Sequence, residues 1–403
     1  MISKNINFKK FTPTIKDKKI NTNLKLILSS KNEIINSLKK NFKLNYDFKK
    51  LKKIHQNFDL RIIGVGGSIL GAKAIFSFLN HKIKKKIVFI DNLEIENQKK
   101  SKKNYTNLII SKSGNTLETI INSNLLIKKN DKNIFLTERK DSYLYQLAQK
   151  LKSEVIEHNN YIGGRYSVLS ETGMLPAELM GLKVSQFRQL NSLIKKPNFL
   201  NALVKNVSST LYFLKNKKFN SIIINYDPKS ENLLKWYQQL IAESLGKKNQ
   251  GILPIISTMP KDNHSLMQLY LDGFKNNFFT FFFVNELRSS RINNLSILSS
   301  HKFLKNKNLN QILFAQKLAT EQVFRNKNIP FRSFQVMKRD EKSLGELFCF
   351  FILETILLAK ALNINPYDQP AVELIKIETK KKIGLNFSKN NFCNPIFFFF
   401  NYF

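Results

Sequence analysis

From residue 61 onward, short runs of β-branched and aromatic residues alternate with longer segments of helical periodicity. The first run, over 61–65, is followed by a glycine turn and then by a helical pattern over 70–79. This alternation is typical of βαβ units, in which consecutive strands are parallel and the helices cover the sheet. The sequence therefore predicts an α/β fold built on doubly wound parallel sheets.

Further predicted elements repeat this order. Strands are predicted over 86–91, 107–111, 133–136 and 220–225, and helices over 116–128, 142–151, 197–216, 230–245, 345–362 and 370–382. Because the order after Pro197 repeats that of the first half, we expect two α/β domains, with the last two helices packing across them. The expected parts are a helical or extended cover segment over 1–55, a first domain over 56–195, a second over 196–340, and a helical C-terminal segment with a phenylalanine-rich tail over 341–403.

Composition limits the class of protein. A chain of 403 residues that is 42% hydrophobic can bury a large core. It has no run of about 18 apolar residues, and its first residues lack the apolar stretch of a signal peptide. We therefore expect a cytoplasmic protein that does not bind membranes. Two cysteines, Cys349 and Cys393, lack the paired spacing of a metal site or a disulfide framework, so no metal is expected.

The net charge of +37 raises nucleic-acid binding as an alternative, because basic domains attract phosphate backbones. The lysines are, however, spread along the whole chain and accompany abundant asparagine and isoleucine. Aromatic residues interleaved with arginine, which would favour a single-strand binder, are missing. We therefore expect no nucleic-acid partner.

A glycine turn, G-V-G-G-S-I-L-G over 64–71, lies between a predicted strand and a predicted helix. Glycines there let the backbone turn tightly and bring N–H groups such as those of Gly67 and Ser68 close to an anion. A dinucleotide loop is one alternative, but Ile69 stands where the third glycine of that motif belongs. A tight turn without a ligand is another.

A second loop, S-K-S-G-N-T-L-E-T over 111–119, again joins a strand to a helix. Ser111, Ser113 and Thr116 offer hydroxyls and Lys112 offers a charge beside free helix-terminal N–H groups, which suits a phosphomonoester. The other interpretation is a helix cap, but a cap needs only one hydroxyl.

A third segment, G-G-R-Y-S-V-L-S over 163–170, makes the pattern specific. It resembles the G-G-R-[FY]-S-x-x-[ST] signature of the glucose-6-phosphate isomerase family, and with the two loops it implies two sugar-isomerase domains. An arginine held on a glycine pair, here Arg165, can approach a substrate closely and stabilise a developing enediolate. A surface arginine in a loop is the alternative.

Two segments of the second half resemble the shorter, bacterial branch of this family: A-E-S-L-G-K over 242–247 and D-N-H-S-L-M-Q-L-Y-L-D-G over 262–273. The resemblance implies that Glu243 moves a proton between C2 and C1. A carboxylate in the last turn of a helix meets the negative end of the helix dipole, which makes it a better base. The resemblance also implies that His264 assists ring opening and reaches the site across a dimer interface. The alternatives are an exposed helix-end glutamate and a structural histidine.

The segment N-P-Y-D-Q-P-A-V-E-L-I-K over 365–376 resembles the family's N-P-[FY]-D-Q-P-G-V-E-x-x-K. The resemblance implies that Lys376 helps to open the sugar ring, whereas alone it would form an i,i+3 surface pair with Glu373. Two departures are Ala371, where glycine is common, and Asn115, where threonine is common. Either could change substrate affinity without removing the chemistry.

Taken together, the resemblance implies a homodimeric isomerase that interconverts glucose 6-phosphate and fructose 6-phosphate through a cis-enediol, with no metal or other cofactor. Further activity on mannose 6-phosphate, a non-catalytic sugar-phosphate-binding protein and a nicotinamide dehydrogenase are the alternatives. The expected catalytic residues are Glu243, His264, Lys376 and Arg165, and the expected phosphate-binding residues are Gly67, Ser68, Ser111, Lys112, Ser113 and Thr116.

Overall fold

A computed structural model describes residues 1–13, 18–55, 59–94, 105–128, 131–286 and 288–384. The chain forms two compact units, Met1–Pro366 and Tyr367–Phe403. The predicted phenylalanine-rich stretch over 394–403 lies outside the described residues. None of the helices in the described ranges is long and apolar enough to cross a membrane.

The first unit contains two five-stranded sheets and the helices that cover them. Its strands are β1 (Ile6–Lys9), β2 (Asp59–Ile63), β3 (Ile87–Ile90), β4 (Tyr105–Ile110), β5 (Lys132–Thr137), β6 (Glu154–Glu157), β7 (Asn220–Asn225), β8 (Leu253–Thr258), β9 (Asn277–Val284) and β10 (Phe331–Val336). Its α-helices are α1 (Lys18–Ser29), α2 (Glu33–Ser37), α3 (Phe48–His55), α4 (Leu70–Leu79), α5 (Leu117–Leu126), α6 (Tyr143–Lys150), α7 (Glu171–Leu179), α8 (Leu190–Leu193), α9 (Pro197–Lys215), α10 (Glu231–Leu245), α11 (Met267–Asp272), α12 (Leu309–Asn326) and α13 (Glu341–Ala361).

The first sheet has the order β3-β2-β4-β5-β6 and is parallel throughout. Its central strand β4 is buried along its whole length, as expected of a parallel strand covered on both faces. The chain leaves β2 toward β3 and then crosses back to β4 on the other side. The gap between the ends of β2 and β4 is therefore the switch point at which open α/β sheets bind ligands.

The second sheet has the order β1-β10-β9-β7-β8, in which the last four strands are parallel. Its edge strand β1 runs antiparallel to β10, with Ile6 opposite Val336. The N-terminal segment was predicted as helical or extended cover; it contains helices α1 to α3, and its strand β1 adds an edge to the second sheet. Apart from this strand, the two sheets follow the same order, so the halves of the unit are internally related.

Helices α4 and α10, which follow the first strand of each half, pack against each other between the sheets. Helix α13 is buried over most of its length and contacts α10, α9 and α1. Its N-cap is Asp340, whose side chain accepts a hydrogen bond of 2.9 Å from the backbone N–H of Ser343. The helix predicted over 345–362 thus begins earlier, where a capping residue is available.

The second unit is described from Tyr367 to Gly384 and contains helix α14 (Pro370–Gly384). This helix was predicted over 370–382. The four-part domain division drawn from the sequence stays a prediction.

Candidate functional site

The glycine turn follows β2 and the hydroxyl-rich loop follows β4, and these strands are adjacent and parallel. The two loops therefore meet at the carboxyl edge of the first sheet, at its switch point. The first two sequence motifs thus share one edge, and the third, the arginine loop over 163–170, reaches it through a backbone contact.

That contact joins Gly67 to the arginine loop. A Cβ atom on Gly67 would lie 2.3 Å from the carbonyl carbon of Gly164 and 2.5 Å from the backbone nitrogen of Arg165. Only glycine fits between the two backbones. The neighbouring Gly66 has a φ of +58°, in the left-handed region that favours glycine. These glycines are what allow the turn to lie directly on the segment that carries Arg165.

Hydroxyls of the second loop pair with each other. The side-chain oxygens of Ser111 and Thr116 lie 2.8 Å apart, and Ser111 is almost fully buried. Thr116 is the N-cap residue of α5, yet its side chain makes no capping hydrogen bond. The loop is closed at Gly114, where a φ of +68° and the side chain of Ser142 leave no room for a Cβ. The capping interpretation of the hydroxyls is therefore not what the structure shows for Thr116.

Two other polar residues hold the same loop. The Ser113 hydroxyl accepts a hydrogen bond of 3.2 Å from the backbone N–H of Asn115. The Asn115 side chain accepts one of 3.0 Å from the N–H of Tyr143, at the start of α6. Asparagine at this position thus connects the loop to the next helix.

The Lys112 side chain contacts a neighbouring segment, and its predicted role in phosphate binding stays a prediction. Its ammonium donates a hydrogen bond of 2.7 Å to the carbonyl of Asn160 and lies 3.9 Å from Glu138. Burial lowers the pKa of Lys112, and Glu138 partly opposes that shift. In this state the ammonium tethers the loop to the segment after β6, and the Ser111 and Thr116 hydroxyls pair without it.

Beside this tether, His158 is buried at the end of β6. Its Nδ1 lies 2.9 Å from the carbonyl of Asn159, while its buried Nε2 has no hydrogen-bond partner in the part of the chain that the structure describes. Burial lowers the pKa of His158 to about 4, so the imidazole is neutral at physiological pH.

The Arg165 side chain is the most constrained group of the site, with 3% of its surface exposed. Its Nε donates to the Ser244 hydroxyl at 2.9 Å, its Nη1 to Glu243 at 3.1 Å and its Nη2 to the Pro366 carbonyl at 2.5 Å. The Tyr166 hydroxyl, 2.8 Å from that of Ser244, completes the arrangement. Because all three of its nitrogens donate hydrogen bonds, the guanidinium is fixed in one orientation. A fixed orientation is needed if the guanidinium is to stabilise negative charge on one particular substrate atom.

The Glu243 side chain lies in the last turn of α10 and is 30% exposed, so one side of the carboxylate faces solvent. Its Oε1 accepts a hydrogen bond of 2.8 Å from the Gln239 amide, and the same amide nitrogen would be 3.0 Å from a Cβ on Gly66. Gln239 thus connects the glycine turn to the carboxylate. Sequence analysis missed this residue, although its i−4 position on the same helix face was a usable signal.

A buried polar network anchors the helix that carries Glu243. The Tyr237 hydroxyl donates to Glu354 of α13 at 3.0 Å and accepts from Arg332 of β10 at 3.0 Å. Burial raises the pKa of Tyr237, which keeps its hydroxyl protonated. Helix α10 is thereby fixed to α13 and to the second sheet.

His264 lies in a short 3-10 turn, Lys261–His264, after β8, and its side chain is exposed. Its ring forms no hydrogen bond or ion pair with any residue of the described ranges. The neighbouring Asp262 holds the turn by accepting a hydrogen bond of 2.7 Å from the backbone N–H of Thr258. The imidazole is thus available to another molecule.

Lys376 belongs to α14 in the second unit. Its ammonium lies 2.6 Å from the Glu373 carboxylate, the i,i+3 pair that the sequence offered as the alternative interpretation. Both side chains are more than half exposed. The structure brings Arg165, Glu243 and the glycine turn together, and Lys376 is described only within its own unit.

The arrangement can therefore bind an anionic group at one sheet edge and present a carboxylate beside a fixed guanidinium. A carboxylate can move a proton, and a guanidinium can stabilise an oxyanion that forms next to it. Across the described ranges, no group of three histidine, cysteine or acidic side chains has metal-binding geometry.

A family model and two relatives of known name agree on one protein family. The phosphoglucose isomerase family model matches residues 18–252. A glucose-6-phosphate isomerase of Methanocaldococcus jannaschii is 33% identical over 344 residues, covering 80% of this chain and 84% of the relative. One of Acholeplasma laidlawii is 32% identical over 375 residues, covering 83% and 85%.

Solved structures give the same architecture. A hypothetical protein of Thermus thermophilus is similar with a TM-score of 0.77 at 22% identity, covering 91% of this chain and 94% of that one. A glucose-6-phosphate isomerase of Chlamydia trachomatis is similar with a TM-score of 0.67 at 19% identity, covering 93% and 80%. At these identities the likeness shows the fold, and the predicted α/β class with two doubly wound sheets is confirmed.

Proposed function

This chain belongs to the phosphoglucose isomerase family, and we propose that it interconverts glucose 6-phosphate and fructose 6-phosphate. The family and the enzyme class, an aldose-ketose isomerase, were predicted from the motifs and are confirmed by the match over residues 18–252 and by the relatives. The observation that carries the proposal is the ion pair between Arg165 and Glu243, in which Nη1 of the arginine lies 3.1 Å from a carboxylate oxygen of the glutamate. It lies beside a glycine turn whose sheet edge also holds the paired hydroxyls of Ser111 and Thr116.

The phosphate is proposed to bind at this edge. Ser111, Ser113 and Thr116 supply hydroxyls, and the turn at Gly67 and Ser68 supplies backbone N–H groups. Lys112 contributes from its tethered position by adding positive charge to the loop. Fixing the phosphate places the carbon atoms at the other end of the substrate near the carboxyl end of α10.

Proton transfer is assigned to Glu243. After ring opening, its carboxylate removes the proton from C2 of the aldose and leaves the cis-enediol intermediate in its singly ionised form, with the negative charge on O1. The proton of the O2 hydroxyl passes to O1. The proton taken from C2 is then returned to C1, which forms the ketose carbonyl at C2 and regenerates the carboxylate. Arg165 stabilises the negative charge that develops on the oxygens during both steps. The proposed reaction uses no metal or other cofactor.

Ring opening is assigned to His264 and Lys376, with His264 supplied by a second copy of the chain in a homodimer. The exposed ring of His264, available to another molecule, supports this part of the proposal. We also propose that the protein is cytoplasmic.

An assay of fructose 6-phosphate conversion to glucose 6-phosphate, with EDTA present, tests the reaction. The Glu243→Gln variant should keep substrate binding and lose turnover by about 10²–10⁴-fold, the usual contribution of a general base. The matched control is Glu231→Gln at the other end of the same helix, where Glu231 pairs with Lys235. If Glu243→Gln turned over substrate like Glu231→Gln, the assigned base would be wrong. A wild-type protein that binds the sugar phosphates without converting them would be a sensor.

Mixing two inactive variants tests the shared site. In a heterodimer of Glu243→Gln and His264→Ala subunits, one of the two sites would contain both native residues. Random exchange of subunits should then restore about a quarter of wild-type activity, because half of the dimers have one intact site. If each site uses its own His264, the mixture stays inactive.

A further inference from the structure

The internal relation between the two halves places a second group of residues opposite the candidate active site. Helices α4 and α10 pack against each other and follow equivalent strands, so each helix ends near the sheet of the other half. The end of α10 brings Glu243 to the first sheet. By the same relation, the end of α4 brings Asn80–Lys82 to the carboxyl edge of the second sheet.

Two observations fix the equivalence of positions. Glu243 follows the start of the 3-10 turn at Pro228 by 15 residues, and His81 follows the start of the equivalent turn at Gly66 by 15 residues. The backbone N–H of Ser111 donates to Leu136 at 3.1 Å, and that of Asn285 donates to Val336 at 2.8 Å. His81 thus corresponds to Glu243, and Asn285 corresponds to Ser111.

The residues that follow Ser111 and Asn285 carry opposite charges. Ser111 is followed by Lys112, and Asn285 is followed by Glu286. The Glu286 carboxylate lies 3.1 Å from the Nε of Arg339 and 3.2 Å from the ammonium of Lys229. In the second half, the Glu286 carboxylate therefore lies where an anion bound by Arg339 and Lys229 would lie.

Two buried donors at this edge have no hydrogen-bond partner among the residues that the structure describes. They are the Nη1 of Arg339 and the amide nitrogen of Asn225. Arg339 is 6% exposed and Asn225 is fully buried, and both are bound to Asp227 through their other polar atoms. Buried unpaired donors are rare, and they mark a place where an acceptor is missing.

Taking these observations together, we propose that the carboxyl edge of the second sheet is a latent binding site for a small oxyanion such as inorganic phosphate, closed by the Glu286 side chain. Arg339 and Lys229 are its principal donors, and His81 lies at its rim. Removing the Glu286 carboxylate would leave both cations without that partner, and an oxyanion can restore the two charge-assisted hydrogen bonds. The proposal does not depend on the isomerase reaction.

Calorimetric titration with inorganic phosphate at physiological ionic strength tests the proposed oxyanion site. The titrations use a Ser111→Ala, Thr116→Val background, so that the candidate active site does not contribute. In this background Glu286→Ala should bind one phosphate per chain, at least about tenfold more tightly than the parent, since one charge-assisted hydrogen bond is worth that factor. Adding Arg339→Met should abolish the gain. Glu286→Gln, which keeps the side chain in place, should show none.

The matched control is Glu341→Ala. Glu341 pairs with Lys82 at the same edge, so its removal changes the net charge equally without freeing Arg339. If Glu286→Ala bound phosphate no better than Glu341→Ala, any binding would be a general effect of charge and the proposal would be overturned. Should Glu286→Ala fold poorly, Glu286→Ser is compared with Glu341→Ser by thermal unfolding. Phosphate should then raise the melting temperature of Glu286→Ser alone, and an equal effect on both variants would also overturn the proposal.

Discussion

The guanidinium of Arg165 and the carboxylate of Glu243 form an ion pair of 3.1 Å that joins the arginine loop of the first half to a helix of the second. Arg165 is nearly buried, while Glu243 keeps part of its surface open. The pair therefore has a rigid member and an accessible member. This suits a site in which the arginine stabilises charge and the glutamate exchanges a proton with substrate.

Replacing Gln239 by leucine is expected to lower kcat about tenfold, because the hydrogen bond that orients Glu243 is worth roughly 1–1.5 kcal/mol. KM should change much less, because we place Gln239 as a positioning residue. Steady-state kinetics separate the two parameters. Gln238→Leu is the control, because the Gln238 amide binds the Pro254 carbonyl instead. Equal losses in both variants would mean that the helix was damaged as a whole.

Replacing Gly67 by alanine is expected to destabilise the fold by at least about 1–3 kcal/mol, since the added methyl group has no room against the Gly164 backbone. Activity should fall with it, because the glycine turn and the arginine loop must separate. Gly163→Ala is the control, as a Cβ there meets nothing within 4 Å. Urea unfolding and the isomerase assay measure both effects, and a Gly67→Ala enzyme as stable as Gly163→Ala would contradict the contact.

Replacing Ser111 by alanine is expected to raise KM for the sugar phosphate about tenfold through the loss of one hydrogen bond to a charged group. The effect on kcat should be smaller, because the hydroxyl is assigned to binding. Ser77→Ala is the control, since the Ser77 hydroxyl binds a carbonyl of its own helix. An unchanged KM in Ser111→Ala would remove this hydroxyl from the phosphate site.

His158 is expected to make stability depend on pH between about 4 and 6.5. Its pKa in the folded chain is about 4, below the ordinary value of 6.5, so in this window the unfolded chain binds a proton that the folded chain does not. The contribution of His158 is therefore complete above pH 6.5 and falls by up to roughly 3 kcal/mol as the pH drops toward 4. Urea unfolding of wild type and His158→Asn across this range measures it. The difference between them should shrink as the pH falls, and a constant difference would contradict the burial of a neutral ring.

Part of each half could be predicted from the sequence because the signals are local. Helix α4 and strand β7 have the predicted bounds, and glycine or hydroxyl residues mark the two loops. Strand β9 was not predicted, since its run N-F-F-T-F-F-F-V has no alternation to distinguish a buried strand from a buried helix. The short edge strand β1 was missed for another reason, because its partner β10 lies far away in the sequence.

In the candidate site, motifs identified residues but not their contacts. The hydrogen bonds that Arg165 donates to Ser244, Glu243 and Pro366 reach distant segments, which no local pattern encodes. The Lys112 side chain illustrates the limit, because the loop motif does not encode its hydrogen bond to the Asn160 carbonyl, while its predicted contact with a phosphate stays a prediction. Tertiary packing decided both outcomes.

The pairing of β1 with β10 also sets an order of events during synthesis. Residues 6–9 are synthesised long before the strand that they pair with, Phe331–Val336. The Pro366 carbonyl that binds Arg165 is made later still. The nascent chain can thus complete the first sheet well before the second sheet gains its edge, and Arg165 meets the Pro366 carbonyl only after the strands of both sheets have been made.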